Sequence, residues 1–231
     1  MNAAYQHLDL QALNKEFKPL SPAQRIMRLY NLVQQNDVMY TSSFGTTAVM
    51  LLHLISQFRK QQKVHFINTT FHFNETLQYK QLLTEKLGLK VLEVLPDVTQ
   101  NEITRRDRSW EHEPDLCCMV NKVITLDSVK VNYKVWITGM MAYQTHFRLG
   151  MDIFTWQDSW LKFNPLIDVS ASDWASYVKQ HNLPKHPLLA EGYGSVGCTH
   201  CTLKGQGRNG RWANQSKTEC GLHSQNKIVI K

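Results

Sequence analysis

The first 116 residues contain no cysteine, and the 231-residue chain has only five, at 117, 118, 198, 201 and 220. A set so small and odd in number excludes a disulfide scaffold as the source of stability. Long apolar runs are missing as well. The longest, Ala48 to Ile55, is eight residues and includes His53, far short of the roughly 20 that a membrane-spanning helix needs. No basic-then-apolar leader follows Met1, so a cytoplasmic protein without membrane association is expected. Repeats and low-complexity tracts are lacking too. Aromatics at 10% and apolar residues at 42% argue against disorder. The length suits one domain with a real core.

Acidic residues are scarce, 19 against 26 Lys and Arg, for a net charge of +7. The excess is not evenly spread. From Cys198 to Lys231 there are six basic residues and one acid, Glu219, or +5 in 34 residues. Glycines at 205, 207, 210 and 221 give this stretch backbone freedom, and a mobile arm is expected.

The cysteines that are present fall into an adjacent pair, Cys117-Cys118, a Cys198-Thr-His-Cys201 pair, and Cys220 alone. Four thiolates in two chelating pairs suit a tetrahedral zinc or an iron–sulfur cluster. Zinc knuckles are usually Cys-x(2–4)-Cys, so the adjacent pair leans toward a cluster while zinc stays open. Cys220, with His223 three residues on and basic residues around it, has the surroundings of an activated thiolate directed at an anionic substrate.

Ser21-Pro22 opens a helix with Ile26, Leu29, Leu32 and Val33 on one face. Strands are predicted at 37–44, 63–68, 90–95 and 134–138. Helices are predicted after Thr47, from a cap at Asn74 to Gly88, and from a capping box at Ser170–Asp173. Strands alternating with amphipathic helices give an α/β fold, a parallel twisted sheet with flanking helices. Ligands of such sheets bind beyond the carboxyl ends of the strands. The segment Ser42-Ser43-Phe44-Gly45-Thr46-Thr47 lies at one such end and leads into a helix, a place suited to a phosphate or sulfate group.

These motifs together resemble the assimilatory adenylyl-sulfate (APS) and phosphoadenylyl-sulfate (PAPS) reductases. The resemblance runs from about Val38 to His223. It rests on Glu191-Gly-Tyr-Gly-Ser-Val-Gly-Cys198-Thr-His-Cys201-Thr, Arg208-Asn-Gly-Arg211-Trp212, Glu219-Cys220-Gly-Leu-His223, Ser42-Ser43-Phe44-Gly45, Phe73-Asn74-Glu75-Thr76 and Asn164-Pro165-Leu166. It implies an adenine-nucleotide hydrolase-like, PP-loop-related fold. Residues 1–36 would be a helical lead-in, 37–190 the nucleotide-binding core and 191–231 the basic segment with the catalytic cysteine.

It further implies that Cys117, Cys118, Cys198 and Cys201 hold a [4Fe–4S] cluster and that the substrate is APS. Cys220 would attack the sulfo group to form an S-sulfonate, and thioredoxin or a glutaredoxin-like dithiol would then release sulfite. Substrate-binding positions would be Ser42, Ser43, Phe44, Gly45, Lys122, Gln144, Arg148, Arg208, Arg211 and His223. Nucleic-acid binding is not expected, and a homo-oligomer is left open.

The chain departs from the family pattern in its basic residues. Gly-Arg-Arg-x-x-Gln is here Gly139-Met140-Met141-Ala142-Tyr143-Gln144, and the Arg-Lys after Cys-Cys-x-x is Asn121-Lys122. Each lost hydrogen bond to a charged group is worth roughly 1.5–3 kcal/mol, so the substrate shell is altered. The alternatives are a PAPS reductase that keeps a cluster, or a non-catalytic nucleotide-binding Fe–S protein. A related sulfurtransferase or nucleotide-activating enzyme acting on RNA would carry Ser-Gly-Gly-x-Asp-Ser at the phosphate loop, which this chain lacks.

Overall fold

Short runs of apolar and β-branched residues, each followed by a helix, build a six-stranded sheet. The computed structural model describes residues 5–212, 219, 221 and 222. The strands are β1 (Val38–Thr41), β2 (Lys63–Ile67), β3 (Lys90–Val94), β4 (Val135–Ile137), β5 (Phe154–Gln157) and β6 (Trp160–Phe163), in spatial order β3-β2-β1-β4-β6-β5. Every pair is parallel except β5–β6, which is antiparallel. After β1 the chain moves outward to β2 and β3, then returns to place β4 on the other side of β1. The order therefore reverses between β1 and β4, and the crevice beyond their carboxyl ends is the place where such sheets bind ligands.

The helices are α1 (Leu10–Phe17), α2 (Pro22–Leu32), α3 (Val49–Phe58), α4 (Asn74–Leu87), α5 (Val98–Arg106), α6 (Ser109–His112), α7 (Pro114–Cys118), α8 (Thr125–Lys130), α9 (His146–Leu149) and α10 (Ala171–Gln180). None is long and apolar enough to cross a membrane. Helix α3 is apolar nearly all round and packs against α2, α4 and α10, the pattern of a buried helix. Each of its fully buried Val, Leu and Ile side chains contributes roughly 1.5–3 kcal/mol. His53, the one polar interruption of that run, bonds through Nδ1 to the Tyr177 hydroxyl of α10 at 2.8 Å.

The N-terminal helices are fixed by Arg25, which is 1% exposed. Its guanidinium grips Asp168 at 2.5 and 2.6 Å and donates to the carbonyls of Phe17, Lys18 and Pro165. Burial raises the Asp168 carboxyl, but the Arg25 hydrogen bond and charge outweigh it and hold it below the usual range.

Several sequence expectations shift. The strand predicted over 37–44 ends at Thr41, and Phe44 adopts φ 50°. Asn74 is the first residue of α4 rather than its cap, which is Phe73. The hairpin β5–β6 was not predicted, because Lys162 sits fully buried in the middle of β6 and breaks the apolar pattern. Gly88 does end α4, at φ 61°, and Ser21 and Ser170 both form capping boxes.

His186 carries a pH consequence. It is 1% exposed, its Nδ1 accepts from the Leu188 N–H at 3.2 Å, and its Nε2–H faces the Thr76 hydroxyl at 3.0 Å. Burial pushes it down to about 4. The unfolded chain takes up this proton near pH 6.5, so the stability is complete above that pH and falls as pH drops toward 4. The loss reaches roughly 3 kcal/mol. Thermal melts between pH 7 and 4.5 are expected to show this fall, and His186→Asn to flatten it. His72, also pushed down to about 4 by burial, leaves the variant part of the slope.

Candidate active site

The loop after β1 forms the floor of a cavity of about 340 Å³ at the carboxyl ends of β1 and β4. Ser42 turns its hydroxyl inward to accept the Phe44 N–H at 3.1 Å. That bond and the left-handed φ send the Phe44 ring into the core, edge-on to Phe66 at 5.7 Å. Phe44 therefore shapes the loop without lining the cavity, whereas Ser42, Ser43 and Gly45 do line it. The Thr46 hydroxyl donates to the Gly194 carbonyl at 3.0 Å. Helix α3 then starts at Val49, and its N-cap, Ala48, offers no side chain to the first-turn N–H groups. An anion suits that position.

The wall beyond β4 is largely apolar. Met140 lines the cavity with Leu51 and Leu166, and Met141, 0% exposed, belongs to the core. The two methionines that stand where the family has arginines are thus packing residues. Gln144 donates to the Thr47 hydroxyl at 3.2 Å and accepts from Arg148 Nη1.

Positive charge comes from Lys122, Arg148, Arg208 and Arg211, all on the cavity wall. Arg148 is buried and forks onto Glu219. Arg211 donates through Nη1 to the Val196 carbonyl at 2.9 Å, lies over the Trp212 ring at 4.3 Å, and leaves its buried Nε without a partner among the described residues. A Cβ on Gly197 would meet the Arg211 guanidinium at 2.3 Å, so a side chain there would push this arginine out of its present place.

The described part of the basic segment is held by backbone pairings. Backbone bridges pair His72 with Cys198, Tyr193 with Gly205 and Thr202 with Arg211. Gly210 lies so close that a Cβ would sit 2.0 Å from the Leu203 carbonyl. Close backbone approach, not mobility, is the reason for this glycine.

The four predicted ligand cysteines come together. Cys117, Cys118, Cys198 and Cys201 are free thiols around one small pocket, with Phe71, Trp110 and His200 beside them. His200 stacks on Trp110 at 3.9 Å and 8°. The adjacent pair ends α7, which runs directly into a π-helical stretch, Met119–Ile124. Such a wide turn is common at functional sites, and it accompanies the awkward placing of neighbouring side chains on one centre.

Burial and the neighbouring thiols push Cys117 up to about 12 and Cys201 up to about 11. Cys198 is raised by burial but lowered more by the Lys122 charge and by hydrogen bonds from Thr69 and Lys122. The Thr69 hydroxyl lies 3.4 Å from its Sγ, and the Asn121 amide donates to Cys117 Sγ at 3.6 Å. Crowded thiols of this kind gain from a positive centre between them. Among the described residues, no group of three or more His, Cys, Asp or Glu side chains converges on a single ion.

Cys220 and His223 lie outside the described residues. Glu219, Gly221 and Leu222 are described, and Leu222 lines the cavity. Sequence reasoning missed His72 as a neighbour of the site, and did not foresee the contacts of Thr69 and Asn121 with the cysteines. Lys162, pushed down to about 7 by burial and by Arg148 and Lys130, was also missed, since a lone lysine in a short strand gives no signal.

The model of the phosphoadenosine phosphosulfate reductase domain family matches residues 37–204. An adenosine 5'-phosphosulfate reductase of Bacillus cereus is 38% identical over 200 residues, covering 83% of this chain and 86% of the relative. Among solved structures, the phosphoadenylyl-sulfate reductase of Candida auris has a TM-score of 0.74 at 22% identity, covering 88% of this chain and 99% of that one. Yeast FAD synthetase has a TM-score of 0.57 at 15% identity, with 87% and 72% covered. These two likenesses establish the PP-loop-related α/β fold. With a relative this similar over most of both chains and a family model spanning the core, this chain belongs to the phosphoadenosine phosphosulfate reductase family.

Proposed function

We propose that the protein reduces adenylyl sulfate to sulfite and AMP, with Cys220 as the nucleophile. The observation that carries this reading is the cavity at the β1–β4 switch point. It has a loop suited to an anion on one side, four cations around it, and Glu219, the residue before Cys220, bonded to two of those cations. The Cys220 thiolate attacks the sulfo sulfur, a sulfur–sulfur bond forms, the bridging sulfur–oxygen bond breaks, and AMP leaves with the electron pair. A dithiol of the thioredoxin or glutaredoxin type then attacks Cys220 Sγ. Sulfite departs, a mixed disulfide forms, and the donor's second thiol resolves it, so the donor supplies both electrons.

Cations on the wall offset the repulsion between a thiolate and an anionic phosphosulfate. Arg211 has a spare buried donor for it, and buried donors without acceptors are rare in finished sites. Leu51, Met140 and Leu166 offer an apolar surface to the base.

The thiols fit a [4Fe–4S] cluster held by Cys117, Cys118, Cys198 and Cys201: four cysteines face one pocket, and each raises the others' need for positive charge. Such a cluster supplies a covalent cross-link between two distant segments and a fixed charge beside the cavity. Thr69, Asn121 and Lys122 orient two of its ligands.

Preference for APS over PAPS is supported by the 38% identity over 200 residues to an adenosine 5'-phosphosulfate reductase, and Met140 brings no positive charge to the cavity wall. A 3′-phosphate adds about −1.5 to −2 of charge by analogy with other phosphate monoesters. Sulfite release from the two nucleotides with reduced thioredoxin is expected to give kcat/KM for APS at least about tenfold above PAPS, a difference of roughly 1.4 kcal/mol. A higher value for PAPS would reverse the assignment, and no sulfite from either would leave a nucleotide-binding protein.

A further inference from the structure

Arg148 was expected to bind substrate, yet its hydrogen-bonding edge is already used. Nε and Nη2 both reach Glu219 at 2.8 Å, and Nη1 donates to Gln144. The Glu219 carboxylate also accepts from the Thr145 hydroxyl at 2.7 Å and from Arg208 at 3.4 Å. Both side chains of the Arg148–Glu219 pair are 6% exposed. Burial raises this carboxyl, but the arginines and Thr145 outweigh it and hold it ionised.

Burying two charges is tolerated only when geometry and further hydrogen bonds complete both groups, and that is the case here. On the far side of position 220, the Leu222 carbonyl accepts from Gln157 Nε2 at 3.1 Å and its side chain packs against the Met39, Leu126 and Trp136 cluster. Glu219 and Leu222 are therefore both anchored. A continuous chain also runs from Thr47 through Gln144 and Arg148 to Glu219, joining the anion-binding loop to the residue that precedes the nucleophile.

We propose that Glu219 is a positioning residue: clamped by Arg148, it docks the segment bearing Cys220 on the cavity, so that Arg148 serves the nucleophile's placement while anion binding falls to Arg211, Arg208 and Lys122. This rests on the reading of Cys220 as the nucleophile. It differs from a role for Glu219 as a stand-in for substrate, in which the incoming anion would displace it from Arg148.

The test uses Glu219→Gln, which keeps shape and loses charge, and Arg148→Lys, which keeps charge and loses the fork. Both are read in the full chain by steady-state kinetics, AMP titration calorimetry and mass-spectrometric labelling of Cys220 with iodoacetamide. Misplacement of a reacting group costs about 100-fold, so kcat is expected to fall by about that factor in both variants. KM for APS and Kd for AMP should stay within about threefold. Cys220 labelling should rise about tenfold. A kcat within threefold of wild type overturns the proposal. AMP binding tightened tenfold in Glu219→Gln overturns it in favour of the stand-in role. The labelling readout does not require sulfite release, so a failure of docking and a failure of the reductase reading are told apart.

Discussion

Cys220→Ser is expected to lower sulfite release by at least about 10³-fold, the scale seen when a covalent nucleophile is removed. The reason is chemical. A thiolate is available near neutral pH when cations surround it, whereas a serine hydroxyl needs a general base to become a nucleophile. Cys220 is followed by His223 and sits in a stretch with six basic residues and one acid. Glu219 neutralises part of that charge, chiefly at Arg148, 2.8 Å away against 3.4 Å for Arg208, and Arg208, Lys122 and Arg211 all line the wall. Affinity for AMP, which does not require the thiol, should remain near wild type. The check is twofold: sulfite release with reduced thioredoxin, and the mass of the protein after APS without reductant, where wild type should gain a sulfo group and the variant none. A wild-type rate in the variant would refute the mechanism.

Cys198→Ser should have the second large effect. Cys198 belongs to both the thiol pocket and the wall of the larger cavity at the β1–β4 crevice, and its backbone bridges to His72. A hydroxyl is a poor ligand for iron beside thiolates. Protein purified without oxygen should fall from about four irons per chain to near none, and thermal stability should fall with it, because metal binding is part of the folding free energy. Metal analysis also separates the sequence alternatives: iron with sulfide supports the cluster, one zinc per chain supports a knuckle. Full iron retention in the variant would remove Cys198 from the ligand set.

Four of the five parallel strands, β1 to β4, were legible because each is a short apolar run next to an amphipathic helix. The hairpin Phe154–Gln157 and Trp160–Phe163 was not. Lys162 looks like a surface residue in sequence, yet it is buried with its ammonium 5.0 Å from the Trp136 ring centre. Phe44 was legible as part of the phosphate-loop motif but not as a core residue, since its φ of 50° turns it opposite to its neighbours. The glycines of the basic segment suggested mobility. Gly205 and Gly210 instead mark backbone approaches too close for a Cβ, and composition cannot tell these two uses apart.

The sequence alone determined the chemical inventory: four thiols in two close pairs, a fifth three residues before a histidine, a local excess of cations, and strands alternating with helices. Those follow from residue type and local spacing. Only the tertiary structure decided which of these groups meet. It joined Cys117 and Cys118 to Cys198 and Cys201, placed the cations around one crevice, made Met140 and Met141 packing residues, and used the Arg148 fork on Glu219, 71 residues away. Such pairings depend on where the sheet order reverses between β1 and β4, which local propensity does not encode.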